Sequence, residues 1–305
     1  MPGFLLTNNM NKFLLALSVL TVSASSLFAQ DHSSELPAKP IAKSIFNPKY
    51  SRTESNKGKF YFHWGYNFSS YSKSDIHFKG TGYDFTLLDV KASDRPTKLS
   101  MTYINPATIS IPQFNFHFGY FIKDNYSISL GWDHMKYVVD IPQTVRIKGH
   151  ISPEISEPGI PTGGMAGTYN GEQVTLVDSV LKFEHTDGYN FASVALERHD
   201  DIWVSRTGKS YLSMETGAEV GLLVPRTDVR LFGVGENNFW NIAGYGAAAK
   251  VGLQYHFLKW MYLQTSFKSG WTDLNNIRTT GRNNIDKASQ SIWFFQNYWV
   301  LGFKF

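Results

Sequence analysis

The sequence predicts an all-β protein, an antiparallel up-and-down transmembrane β-barrel of eight strands with long extracellular loops. Three observations carry that expectation. Apolar residues recur with a period of two along most of the chain, aromatic residues are abundant, and short and long connections alternate. The 305 residues are 42% hydrophobic and the mean hydropathy is −0.24, values ordinary for a water-soluble protein. A barrel wall also gives such averages, because it sets polar lumen-facing residues between lipid-facing apolar ones. The aromatic share of 15%, with 23 Phe, 16 Tyr and 8 Trp, suits the girdles that barrels place at both membrane interfaces.

The N-terminus has the form of a secretory signal peptide over residues 1–29. Lys12 precedes the apolar run Phe13-Leu14-Leu15-Ala16-Leu17-Ser18-Val19-Leu20, and small residues follow, with cleavage expected near Ala29-Gln30. The run falls short of the ~20 residues a spanning helix needs. Residues 30–57 are polar and punctuated by Pro37, Pro40 and Pro48, which reads as a mobile periplasmic lead-in. The barrel is then expected over 58–305.

In the first wall segment Phe60, Phe62, Trp64, Tyr66 and Phe68 share one face, while Tyr61, His63, Gly65, Asn67 and Ser69 share the other. Five large aromatics on one face suit lipid. The pattern recurs at Phe114–Tyr120, Tyr126–Trp132, Ala192–Glu197, Leu212–Leu222, Ala247–Tyr255, Leu263–Trp271 and Phe295–Phe305. Each segment approaches the ~9 to 11 residues of a tilted membrane strand. Short joints fall at Lys123-Asp124-Asn125, around Phe257-Leu258-Lys259, and, somewhat longer, from His199 to Lys209. Between them lie longer polar stretches at about 72–110, 140–187, 224–239 and 272–289, the pattern of periplasmic turns and extracellular loops.

The signal-like N-terminus, the alternating strands and the terminal Tyr298-Trp299-Val300-Leu301-Gly302-Phe303-Lys304-Phe305 together resemble the small bacterial outer-membrane barrels of the OmpA, OmpX and OmpW type. The resemblance covers about residues 58–305 in pattern and includes no signature inside the loops. It implies outer-membrane lipid and lipopolysaccharide as surroundings. It also implies that Tyr298, Leu301, Phe303 and Phe305 form the signal read by the barrel-assembly machinery. The first two loops are long for that group and hold strand-like pieces at Ile76–Phe78, Tyr83–Val90, Thr144–Lys148 and Gln173–Leu181. These are expected as hairpins standing above the membrane rather than as extra wall strands making ten or twelve.

On the alternation, Asp133, Glu197, Glu215, Glu219, Lys250 and Lys268 should line the lumen. Charges of both signs in so narrow an interior would pair and plug it. The competing reading is a small channel for ions or hydrophobic solutes. Trp132, His134 and Lys136 are expected on one outward face at headgroup height, as a lipid-headgroup contact.

The sharpest enzymatic reading is His150-Ile151-Ser152 with Glu154 and Glu157. These are the residue types of a Ser-His-acid hydrolase and bear a likeness to the His-x-Ser pair of outer-membrane lipid A deacylases. The surrounding Pro153, Pro158, Pro161, Gly163 and Gly164 argue against the fixed geometry a catalytic base needs, so no catalytic residue is assigned. The absence of cysteine excludes disulfides, thiolate metal sites and cysteine nucleophiles. The histidines show no H-x-x-x-H spacing, and the loop from Asp273 to Asp286 lacks calcium-loop spacing. No metal or other cofactor is expected. The formal charge of +4 is spread along the chain, with no block suited to nucleic acid. The expected role is non-enzymatic, structural or surface-interacting, and carried by the extracellular loops.

Overall fold

The computed structural model describes residues 43–282 and 284–305. The signal-peptide expectation for 1–29, with its cleavage position, lies outside the described residues. In chain order the strands are β1 (Phe60–Tyr71), β2 (Ser74–Gly80), β3 (Tyr83–Val90), β4 (Ala92–Ser93), β5 (Phe114–Lys123), β6 (Tyr126–Val139), β7 (Gln143–Ile151), β8 (Glu154–Ile155) and β9 (Ile160–Pro161). They continue with β10 (Gly167–Leu176), β11 (Leu181–Val204), β12 (Tyr211–Leu223), β13 (Arg226–Leu231), β14 (Val234–Trp240), β15 (Gly244–His256), β16 (Met261–Arg278) and β17 (Lys287–Lys304).

Eight of these close a ring in the order β1-β5-β6-β11-β12-β15-β16-β17, all antiparallel, with β17 returning to β1. They are the segments whose alternation marks them as wall, so the ring has eight strands and the loop pieces add none to it. Period-two chemistry sets the register. On β17, Trp293, Phe295, Trp299 and Leu301 are exposed on the outside, while Gln296, Tyr298 and Val300 are buried on the inside. A slip of one residue would turn the buried lysines and carboxylates into lipid.

Glycine makes room for the largest inward rings. Tyr61 is paired with Gly119 across β1 and β5, and Tyr262 with Gly302 across β16 and β17. A Cβ at Gly119 would lie 2.3 Å from the Tyr61 ring, and one at Gly302 would lie 2.0 Å from the Tyr262 ring.

Beyond the outer end of the ring the wall strands continue into a head. The upper part of β17 pairs with β2, and the sheet runs on through β3 and β7 to β10. On another side the first residues of β11 pair with β13, which pairs with β14. The strand-like pieces of the first two loops therefore form real strands, but they do not stand as separate hairpins. Ile76, Phe78, Phe85, Leu87, Val145, Ile147, Phe183, Val229, Leu274 and Ile292 join one buried apolar cluster. The head thus has its own hydrophobic core, built from segments distant in sequence.

The described part of the lead-in, residues 43–57, differs from the mobile stretch expected. It lies packed across the turn end of the barrel. Ile45 and Phe46 donate backbone hydrogen bonds to the carbonyls of Asp201 and Ile202 at 2.9 and 3.0 Å. Arg52 Nε meets Asp201 Oδ2 at 2.5 Å, with both side chains buried. Asn56 N donates to Asp124 Oδ1 at 2.8 Å, and Lys304 Nζ donates to Asn56 Oδ1 at 2.8 Å. Ser44, Arg52 and Asn56 are buried against the barrel end, while most of the segment stays exposed.

Candidate functional site

The lumen is the most heavily built polar site of the molecule, and its residues come from strand alternation alone. Asp133 projects inward from β6, Glu197 from β11, Glu215 and Glu219 from β12, Lys250 from β15 and Lys268 from β16, all buried. Lys250 Nζ lies 2.9 Å from Glu197 Oε1 and 3.2 Å from Glu215 Oε1. Lys268 is ion-paired with Asp133, and its Nζ lies 2.6 Å from Glu219 Oε1.

Neutral groups complete the coordination. Glu197 accepts hydrogen bonds from Tyr61 at 2.8 Å, Ser127 at 2.7 Å and Ser129 at 2.6 Å. Glu215 accepts from Gln254 at 2.7 Å and Gln264 at 3.1 Å. Asn115 donates to Asp133 Oδ1 at 2.5 Å and to Gln296 Oε1 at 2.9 Å. His117 Nε2 stands 3.6 Å from Asp133, and His199 Nδ1 stands 3.9 Å from Glu215, beside carboxylates that outnumber the two lysines. The Lys268 ammonium also lies over the Tyr298 ring, 5.6 Å from its centroid.

Alternation finds the acids and lysines. It could not show that Tyr61, Asn115, His117, Gln254 and Gln264 would converge on them, because each comes from a different strand or height. Four carboxylates face two ammonium groups, so the network also relies on the hydroxyl and amide donors around each carboxylate, since an uncompensated ion in a buried site costs several kcal/mol.

Closures lie on either side of this layer. Toward the head, Phe191 of β11 and Phe294 of β17 meet with ring centroids 6.3 Å apart and lead into the apolar core. Toward the turns, Lys304, Tyr211, Arg52 and Asn56 pack together, with Arg52 and Lys304 both over the Tyr211 ring at 5.4 and 5.1 Å. Just outside, Glu54 bonds Lys259 and Lys59, and these two ammonium groups hold its carboxyl down at about 2.

The expected headgroup contact at His134 and Lys136 is corrected. Trp132 is half-buried on the outside of the wall, but His134 and Lys136 are buried. His134 Nδ1 is 2.8 Å from Asn190 Oδ1, and its ring stacks on Phe114 with centroids 5.0 Å apart. Lys136 Nζ donates to Thr97 Oγ1 at 3.1 Å. The first loop folds against this part of the wall and covers what alternation alone would leave facing headgroups. Of the terminal residues, Tyr298 is buried in the lumen and Leu301 and Phe305 are exposed outside, with Phe303 half-buried. Phe305 and Phe60 exchange both backbone hydrogen bonds, at 2.8 and 3.0 Å, which seals the ring's last corner.

His150 Nε2 lies 3.1 Å from Ser152 Oγ on the exposed head, but its Nδ1 faces Thr168 Oγ1 at 3.3 Å, where a triad would hold a carboxylate. The pair also lies on the head, at the register level of Lys287 on β17. Register links Lys287 to Lys79, Lys79 to Asp84, and Asp84 to His150. Lys287 is six residues headward of the exposed Trp293, roughly 20 Å along a strand rising about 3.3 Å per residue. The fourth loop, read from sequence as turn residues, forms a polar hollow of about 320 Å³ lined by Asn276, Arg278, Arg282, Asn284, Asp286 and Lys287. Among the described residues no cluster of His, Asp and Glu has the geometry of a metal site.

A closed eight-strand ring, aromatic and apolar outside and charged inside, is the architecture of an outer-membrane β-barrel protein. The chain is similar to several solved structures of that kind. These include the outer membrane protein OprG from Pseudomonas aeruginosa, at 10% identity and a TM-score of 0.35 over 84% of this chain and 99% of that one. Ail, the attachment invasion locus protein of Yersinia pestis, matches at 11% and 0.24 over 82% and 99%. The N-terminal barrel domain of Pseudomonas aeruginosa OprF matches at 10% and 0.25 over 77% and 100%. No family model and no curated protein sequence matches the chain.

Proposed function

We propose that this protein is a non-conducting outer-membrane barrel, exported by a cleaved signal peptide, whose role is structural or surface-interacting and is carried by the extracellular head. The observation that carries this reading is the sequence of closures along the barrel axis. The packed lead-in lies at one end, the ion pairs of Lys250 and Lys268 in the middle, and the apolar core of the head at the other end. An ion crossing the barrel would have to break buried ion pairs and then enter a hydrocarbon-like core, which is prohibitive.

In this reading the wall is an anchor, and the terminal Leu301, Phe303 and Phe305 serve recognition by the assembly machinery. The head, with its polar hollow around Arg278, Arg282 and Lys287, is the part open to extracellular ligands. His150 and Ser152 take no catalytic part in it, because their dyad lacks a carboxylate and lies on the head. The test is single-channel conductance of the folded protein in a planar bilayer. A silent bilayer is expected, and steady, reproducible open steps would overturn the reading in favour of a channel for ions or small solutes.

A further inference from the structure

The first extracellular loop, between β4 and β5, carries several strongly exposed apolar side chains. It exposes Leu99 (89%), Met101 (70%), Ile104 (67%) and Ile111 (52%) within a few residues of one another in the chain. Isolated exposed apolar residues need no explanation, but a contiguous group on one segment does. The middle of the loop is tied to the wall at Tyr103. Tyr66, on the lipid side of β1, donates its hydroxyl hydrogen bond to the Tyr103 carbonyl, and the two rings meet edge to face with centroids 4.6 Å apart. Trp64 packs on the other side of Tyr66 at 4.7 Å. Tyr103, the sequence neighbour of the exposed Ile104, is thereby joined to the aromatic outer face of the wall.

Height follows from register. Phe114, where the loop joins β5, is aligned with Tyr66 and with His134. From Phe114 the strand runs 10 residues to Lys123 at the turn end, about one crossing for a tilted strand. The loop thus meets the wall at the outer edge of the membrane span.

Part of its backbone turns back on itself. The amides of Tyr103, Ile104, Asn105, Thr108 and Ile111 donate to Ser100, Met101, Met101, Asn105 and Thr108 carbonyls within the loop, at 2.9 to 3.2 Å. Pro96, Pro106 and Pro112 have no amide to satisfy. These turns keep the backbone at the interface, where water can still reach the remaining amides, so that only side chains need go deeper. Lys98 is exposed beside Leu99, placed to lie among anionic headgroups while the apolar side chains go deeper.

We propose that residues 97–111 form a lipid-inserted paddle. In it Leu99, Met101, Ile104 and Ile111 enter the acyl region of the outer leaflet beside β1 and β5, and Lys98 remains at the phosphates. The paddle fixes the barrel's depth and rotation and is independent of whether the lumen conducts.

The chain has no cysteine, so single labels are unambiguous. Ile104→Cys and Leu99→Cys would be spin-labelled in the full protein, folded in proteoliposomes containing lipopolysaccharide. Leu263→Cys on the wall and Glu172→Cys on the head serve as references, both positions being exposed. Heat-modifiable gel mobility confirms folding of each variant. At Ile104 and Leu99 the labels are expected to lose collisions with a water-soluble nickel chelate and to gain collisions with oxygen, as at Leu263. Chelate accessibility like that at Glu172 would overturn the proposal. So would a label shielded from both reagents, which would mean a protein partner or a second copy covers the loop.

Discussion

Lys250, like Lys268, answers two carboxylates from different strands with one ammonium, in its case Glu197 and Glu215. Replacing it by methionine keeps the volume and leaves both acids without their cation. Removing one partner of a buried pair costs about 3–5 kcal/mol, so Lys250→Met should lower the urea midpoint of unfolding by that order. Adding Glu197→Gln and Glu215→Gln should return most of the loss, and a triple variant no more stable than the single one would show that the lysine acts through packing. His185 of the head gives a second, pH-dependent case. Burial among Tyr137, Phe183 and Tyr189 pushes its imidazole down to about 3. An unfolded histidine titrates near 6.5, so the stability tied to His185 is fully present above that pH and is lost as pH falls toward 3. The loss has a slope of up to about 1.4 kcal/mol per pH unit. Between pH 7 and 5 the wild-type protein should therefore lose more stability than His185→Gln, as read by urea midpoints at the two pH values. Equal losses would place the acid sensitivity at another group.

At the scale of elements, legibility depended on whether a strand meets lipid. The eight wall strands could be read because lipid on one side and a charged lumen on the other force strict alternation, as in Phe60 to Phe68 against Tyr61 to Ser69. The head strands face water instead of lipid, so their outer residues are mixed and the pattern blurs. β2 and β3 show only short runs, Ile76 with Phe78 and Phe85 with Leu87, and the β13–β14 hairpin lies in a stretch that reads as loop. Nothing local in Val145 or Val229 says that they share a core, because that depends on non-local pairing. The lumen charges were legible one by one from alternation. The burial of His134 and Lys136 was not, since it is imposed by a loop that returns to the wall from elsewhere in the sequence. The lead-in failed for a related reason. Its proline-rich polar sequence looks unstructured, yet Arg52 finds Asp201 a whole barrel away in the chain. Composition describes what a segment can do alone, and the turn end of the ring supplies the partners it lacks.

For the molecule as a whole, the continuous strands decide how barrel and head behave together. β11 runs as one strand from Leu181 in the head core to Val204 at the turn end, with a register shift against β6 between His185 and Tyr189, and β16 and β17 also pass through both parts. Because the chain passes from head to wall within these strands, loss of pairing in the head is expected to loosen the wall as well, and the two parts should unfold as one unit. Phe78 offers a clean test because it lies in the head, away from the lumen. It is buried, stacks on Phe85 at 5.1 Å and meets Phe183 edge-on at 6.0 Å. Phe78→Ala should cost about 3–5 kcal/mol through the cavity it leaves. If head and barrel are one cooperative unit, that loss appears as a lower midpoint both in gel mobility, which reports the barrel, and in protease resistance of the head. A head that becomes protease-sensitive while the barrel midpoint stays in place would separate the two parts. The head would then be a module that can change its packing, and its partners, without disturbing the anchor beneath it.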